Sequence, residues 1–212
     1  MKYVYILLAL ICLSTTSTFA QVYDNDFRES VQFGIKAGAN YSNVYDAEGE
    51  EFVDEAKLGL AAGIFVAIPI GMYFGIQPEV LFSQKGFKAE GVLFNTTYTF
   101  TRTSNYLDIP LMVSVKPSKF FSIMAGPQYS YLLSQKNKFD NSQTSIEQED
   151  AFDNENLRKN MFCFVGGIDI NVSQFVIAGR VGWDLYRNNG DGTTTTPRYK
   201  NVWYQLALGY HF

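Results

Sequence analysis

Few side chains in this 212-residue sequence are suited to chemistry. They are the single histidine, His211, a set of charged residues standing among apolar ones (Lys36, Glu79, Asp108, Arg180 and Asp184), and clusters of carboxylates. A hydroxyl nucleophile beside a histidine base would give acyl transfer, as in enzymes that modify membrane lipids. Isolated charges in apolar surroundings imply something else: each is costly to bury unless it meets an opposite charge, so together they predict a paired network. The stretch "NVYDAEGEEFVDEA" carries Asp46, Glu48, Glu50, Glu51, Asp54 and Glu55 with no basic residue, and "SIEQEDAFDNEN" is similarly acidic. Carboxylates at that density either face solvent or take up calcium. "NNGDG" (188–192) lacks the spaced acids of a calcium loop and reads as a turn.

The elements that position these residues follow from composition. The chain has 18 Phe, 14 Tyr and 17 Gly, only 18% charged residues, and a mean hydropathy of −0.07. That is aromatic-rich and charge-poor for a soluble domain, yet too polar for a helical membrane protein. Residues 1–20 have Lys2, an apolar run from Val4 to Leu13 and small residues up to Ala20, the pattern of a cleaved secretory signal. Removing it leaves 16 basic against 21 acidic residues, a net charge of −5, and one cysteine, Cys163. An internal disulfide is then impossible, no metal or other cofactor is expected, and an acidic chain without a basic stripe is a poor nucleic-acid binder. Residues 21–30 are expected to be a short periplasmic segment, and 31–212 one domain.

Within that domain the apolar pattern has a period of two. Eight segments alternate, each about ten residues long. The last, "NVWYQLALGYHF", puts Val202, Tyr204, Leu206, Leu208, Tyr210 and Phe212 on one face and Trp203, Gln205, Ala207, Gly209 and His211 on the other. The most apolar stretch, "LGLAAGIFVAIPI" (58–70), is too short to span a bilayer as a helix and is rich in β-branched residues. Short connections near 70–71, at "KPSK" and at "NVSQ" alternate with long ones at 43–56, 86–97, 135–160 and 188–199. Alternating strands with strictly sorted loops predict an all-β, eight-stranded antiparallel up-and-down transmembrane barrel, with short periplasmic turns and long extracellular loops. Lipid requires every backbone polar group to be paired, so the sheet must close. Eight strands enclose an interior that side chains just fill.

By parity the five charges point inward, as do Lys85 and Asp169, and Glu79 with Arg180 is the expected pair. His211 points inward at the periplasmic end, far from any outer-leaflet substrate, so no catalytic residue is assigned. Phe33, Phe121 and Phe175 at the inner rim, with Tyr41, Tyr129, Tyr131 and Trp183 at the outer, are the expected aromatic girdles. Pro78, Pro110 and Pro127 fall inside strands, where β-bulges are expected to accommodate them.

The stretches "FGIKAGANYSNV", "GIQPEVLFSQKG", "NYLDIPLMVSVKP" and "MAGPQYSYLL" resemble, in order and spacing, the PorT-like outer-membrane β-barrel family of the Bacteroidota. The resemblance covers the three prolines and implies an integral outer-membrane barrel; one branch of that family is implicated in type IX secretion and gliding. It also implies that Tyr204, Leu206, Leu208, Tyr210 and Phe212 form the signal read by the barrel-insertion machinery. The expected partners are outer-membrane lipid and lipopolysaccharide, that machinery, and a protein of a larger envelope complex for secretion, assembly or uptake. The expected role is accessory and non-enzymatic, with a narrow gated channel as the alternative and a lipid-modifying enzyme behind it.

Overall fold

The computed structural model describes residues 28–46, 54–93, 96–141, 145–150, 158–188 and 199–212. The secretory signal and most of the periplasmic segment lie outside them, as do Glu48, Glu50 and Glu51 and most of "NNGDG". Among the described residues nine strands are formed: β1 (Gln32–Asp46), β2 (Asp54–Pro69), β3 (Phe74–Leu93), β4 (Thr96–Ser118), β5 (Phe121–Asn141), β6 (Ser145–Asp150), β7 (Asn160–Val172), β8 (Phe175–Asp184) and β9 (Tyr199–His211). All pairings are antiparallel. Eight of the strands close a barrel: β1 pairs with both β2 and β9, and the β4–β5 pairing completes the ring. The ninth, β6, lies against the upper part of β5, where it takes the edge that β7 occupies lower down.

Period-two alternation decides which face each residue takes. Along β9, Trp203, Gln205, Ala207 and His211 are buried, while Tyr204, Leu206, Leu208 and Phe212 are exposed. The same sorting holds in the other barrel strands, so the exposed surface is the apolar one and the interior is mostly polar. This inversion of a soluble protein is what a lipid-facing wall requires.

Three turns at one end are tight: residues 70–73, the pair Lys119–Phe120, and the pair Ser173–Gln174. Gly71 (φ 79°) and Ser173 (φ 56°) supply the left-handed backbone two of them need. At the other end, much of the chain read as long loops is strand. β3 and β4 continue as a hairpin to Leu93 and Thr96, β5 runs to Asn141, and β6 returns beside it. The Thr, Tyr and Phe content of "TTYTFTRT" favours strand.

The expected bulges at the prolines are absent. Pairing of β2 with β3 stops between Phe65↔Glu79 and Ile68↔Ile76 and resumes in the same register, around Pro78. The β3–β4 ladder is interrupted likewise beside Pro110, and the β4–β5 ladder beside Pro127. A proline removes one donor without adding a residue, so it costs ladder bonds and leaves the register alone. The register shifts lie elsewhere, between Ala56 and Ala61 in β2 and at Asn105/Tyr106 and Val115/Ser118 in β4.

Candidate functional site

The barrel interior is the candidate site, because it is where strand parity concentrates the ionisable groups. Lys36 comes from β1, Glu79 and Lys85 from β3, Asp108 from β4, Asp169 from β7, and Arg180 and Asp184 from β8. All seven are buried. They form two separate clusters, where the sequence suggested one network.

In the cluster nearer the periplasmic end, Lys36 Nζ forms an ion pair with Glu79 Oε2, and Gln77 Nε2 donates to Glu79 Oε1 at 2.9 Å. Arg180 grips Asp169 with both Nη atoms, at 2.5 and 3.0 Å. Its Nη1 also donates to the carbonyls of Ile168 (3.0 Å) and Gly179 (3.1 Å), and its Nη2 lies 3.2 Å from Met124 Sδ. Arg180 and Glu79 approach only to 4.0 Å. The expected Glu79–Arg180 pair is therefore the weaker link of a four-member chain. The reason is register: Arg180 pairs with Gly167 and so stands diagonally beside Asp169 on the adjacent strand, whereas Glu79 must be met across the lumen.

In the outer cluster Lys85 Nζ lies 2.8 Å from Asp108 Oδ2, 3.7 Å from the Trp203 ring centroid and 5.0 Å from that of Tyr106. Asp184 accepts from the Asn201 backbone (2.9 Å), from Asn201 Nδ2 (2.5 Å) and from Cys163 Sγ (3.1 Å). Each buried carboxylate thus meets at least one donor, as burial demands, while Asp108 Oδ1 has none among the described residues. An amide–hydroxyl chain, Gln205 Nε2 to Asn40 Oδ1 and Asn40 Nδ2 to Ser83 Oγ, both at 2.9 Å, ties β9 to β1 and β3. Met112, Met124, Met161, Cys163, Val165 and Trp203 form the main apolar cluster of the interior. A void of about 30 Å³ opens at the periplasmic mouth beside Gln77, Lys116, Asp169 and His211, enough to hold water among polar partners.

Sequence reasoning missed Trp203, Tyr106 and Met124 as partners of the charges. Parity placed them inside, but only the fold says that they meet Lys85 and Arg180. His211 packs edge-on to Phe65 at 5.0 Å.

The outer face carries the aromatics. Phe33, Tyr41 and Phe175 are exposed, and Phe121, Tyr129, Tyr131 and Trp183 are half-buried beside their neighbours. Phe175, Tyr210 and Phe212 run edge to face at 5.3 and 5.5 Å along the inner rim. Toward the outer rim Tyr129 meets Phe162 (5.6 Å) and Phe164 meets Trp183 (5.4 Å). The two sets lie toward opposite ends of the strands.

A family model described as outer membrane protein beta-barrel domain matches residues 19–187. No curated protein matches the chain. Among solved structures, Ail, the attachment invasion locus protein of Yersinia pestis, in its complex with a heparin analogue, is similar at 14% identity and a TM-score of 0.50. That match covers 86% of this chain and 99% of Ail. Neisserial surface protein A is similar at 8% identity over 87% of this chain and 100% of its own, with a TM-score of 0.46. OprG of Pseudomonas aeruginosa is similar at 13% identity over 89% and 99%, with a TM-score of 0.41. At these identities the likeness concerns fold alone.

Proposed function

The chain belongs to the outer membrane protein beta-barrel domain family, and from that premise we propose that this integral outer-membrane barrel is a non-enzymatic structural or accessory subunit that acts by contact. The observation that carries this reading is the filled interior. Both clusters place their charges against opposite charges or, for Asp184, hydrogen-bond donors, and methionines and Trp203 share the interior with them, so among the described residues the lumen is filled rather than open. What remains available is surface: the lipid-facing wall, and the tall extracellular sheet of β3 to β6, which rises from a rigid base where binding normally sits. Within that reading, the resemblance to PorT-like proteins favours a larger envelope complex for secretion, outer-membrane assembly or uptake. Purification in mild detergent followed by mass spectrometry tests it. A stoichiometric envelope protein is the expected companion, and elution of the barrel alone, at native expression, would sink the proposal.

A further inference from the structure

Broken and unbroken ladders divide the barrel wall in two. Pairing is continuous along the β5–β7, β7–β8, β8–β9, β9–β1 and β1–β2 seams. Each of the other three, β2–β3, β3–β4 and β4–β5, loses pairing in the middle of its membrane-spanning part, beside a proline. The gaps are neighbours. Pro78 is paired with Leu111, the residue after Pro110, and Pro110 is paired with Gln128, the residue after Pro127.

The register is unchanged across each gap, so it sets every proline opposite a residue of the strand before it: Pro78 opposite Val66, Pro110 opposite Glu79, and Pro127 opposite Leu111. A proline nitrogen has no proton to give that strand. Three donors are therefore missing along one line across β3, β4 and β5, at a depth where no water replaces them. Lateral bonds hold neighbouring strands in step, and a sheet yields first where they are fewest. Above the line the β3–β4 ladder is unbroken from Leu81↔Asp108 to Leu93↔Thr96, so this part of the wall is continuous with the extracellular sheet.

Side chains of the unbroken half reach across the lumen to β3 at and above the line. Lys36 of β1 pairs with Glu79, Asn40 of β1 donates to Ser83 Oγ at 2.9 Å, and the Trp203 ring of β9 lies 3.7 Å from Lys85 Nζ. We propose that the proline line is a crease about which the upper parts of β3, β4 and β5 tilt outward as one panel, with the Lys36–Glu79 pair beside the crease as its latch. Tilting parts Glu79 from Lys36 and opens the lumen between the panel and β9. The rigid base of the extracellular sheet is then the unbroken half, β7, β8, β9 and β1. The proposal is independent of the accessory role, because the panel moves with or without a partner.

Hydrogen–deuterium exchange of the full barrel in lipid nanodiscs, read by mass spectrometry of its peptides, tests it. Peptides of β3, β4 and β5 around the prolines should exchange roughly a hundredfold faster than those of β8 and β9, three missing bonds at roughly fivefold each. Pro78 faces lipid and Pro127 is exposed, so either can be replaced without disturbing the lumen. Pro78→Val restores one donor and should slow exchange about fivefold in β4 and β5 as well as in β3. Lys36→Met should speed exchange in β3, β4 and β5 and leave β8 and β9 unchanged. Equal exchange in the two halves overturns the proposal. So does a Pro78→Val effect confined to the β2–β3 seam, since the gaps would then be three separate defects. Acceleration of all strands alike by Lys36→Met would make the pair a general support and overturn the latch. Pro127→Val repeats the test from the far end of the line and keeps it open if Lys36→Met does not fold.

Discussion

Glu79 is the residue on which the inner cluster turns, since it accepts from Lys36 and Gln77 and lies at the limit of ion pairing with Arg180. Removing one member of a buried ion pair strands the other, which costs about 3–5 kcal/mol. Asp169→Asn should therefore lower the urea midpoint of the barrel in detergent micelles more than Gln77→Ala does. Double-mutant cycles should give a larger coupling for Arg180–Asp169 than for Arg180–Glu79, within the 0.5–3 kcal/mol range roughly expected of contacting residues. Equal couplings would mean that the 4.0 Å approach and the two short bonds are equivalent, against the geometry. In the outer cluster Lys85→Met should destabilise strongly, because Asp108 loses its cation. The double change Lys85→Met with Asp108→Leu should recover much of that loss, since an apolar pair of similar size often replaces a buried ion pair at little cost. The charges were legible in the sequence as inward-facing. Their partners were not, because cross-lumen distances depend on the stagger of strands around the closed ring.

At the scale of elements, close approach of strands limits substitution. A Cβ on Gly126 would collide with the backbone carbonyl of Leu111 on β4, so neither partner can yield without moving the ladder. Gly126→Val should abolish the gel-mobility difference between folded and heat-denatured barrel, a change that Gly71→Asn at the turn, where a side chain has open space, should not cause. The prolines of β3, β4 and β5 interrupt three successive ladders without altering register, so a sequence argument that equated proline with a bulge failed on residue counting. The long connections were located correctly at one end of the barrel. Their conversion into strand was missed because alternation continues there with Thr and polar residues in place of aliphatic ones. Replacing residues 136–150 by a short turn should leave the unfolding midpoint nearly unchanged, as β6 and the end of β5 that it pairs with lie beyond the β5–β7 pairing that closes the ring, yet should release any extracellular partner.

At the scale of the whole molecule, closure of β1 on β9 makes the last strand a condition for all the others. The Phe212 amide donates to the Phe33 carbonyl at 2.8 Å, so the final residue seals the inner rim of that seam. A soluble tag after Phe212 should impair outer-membrane insertion, whereas one placed after Gln21 should be tolerated; cell fractionation with a folding-dependent gel shift would show either. Planar-bilayer recording should give no steady conductance. Open events that disappear in an Arg180 variant would establish the gated-channel reading in place of the accessory one.

Much was determined by the sequence itself. A period of two over eight segments, with short and long connections in alternation, specifies an antiparallel barrel in lipid, because only one face of each strand is apolar and every backbone group must be paired. Parity likewise assigned each charge to the interior and each girdle aromatic to the wall. Only the tertiary structure decided which charges meet and that they form two clusters. Those facts depend on how far each strand slides past the next when the sheet closes, and that offset is a property of the ring, which no single strand encodes.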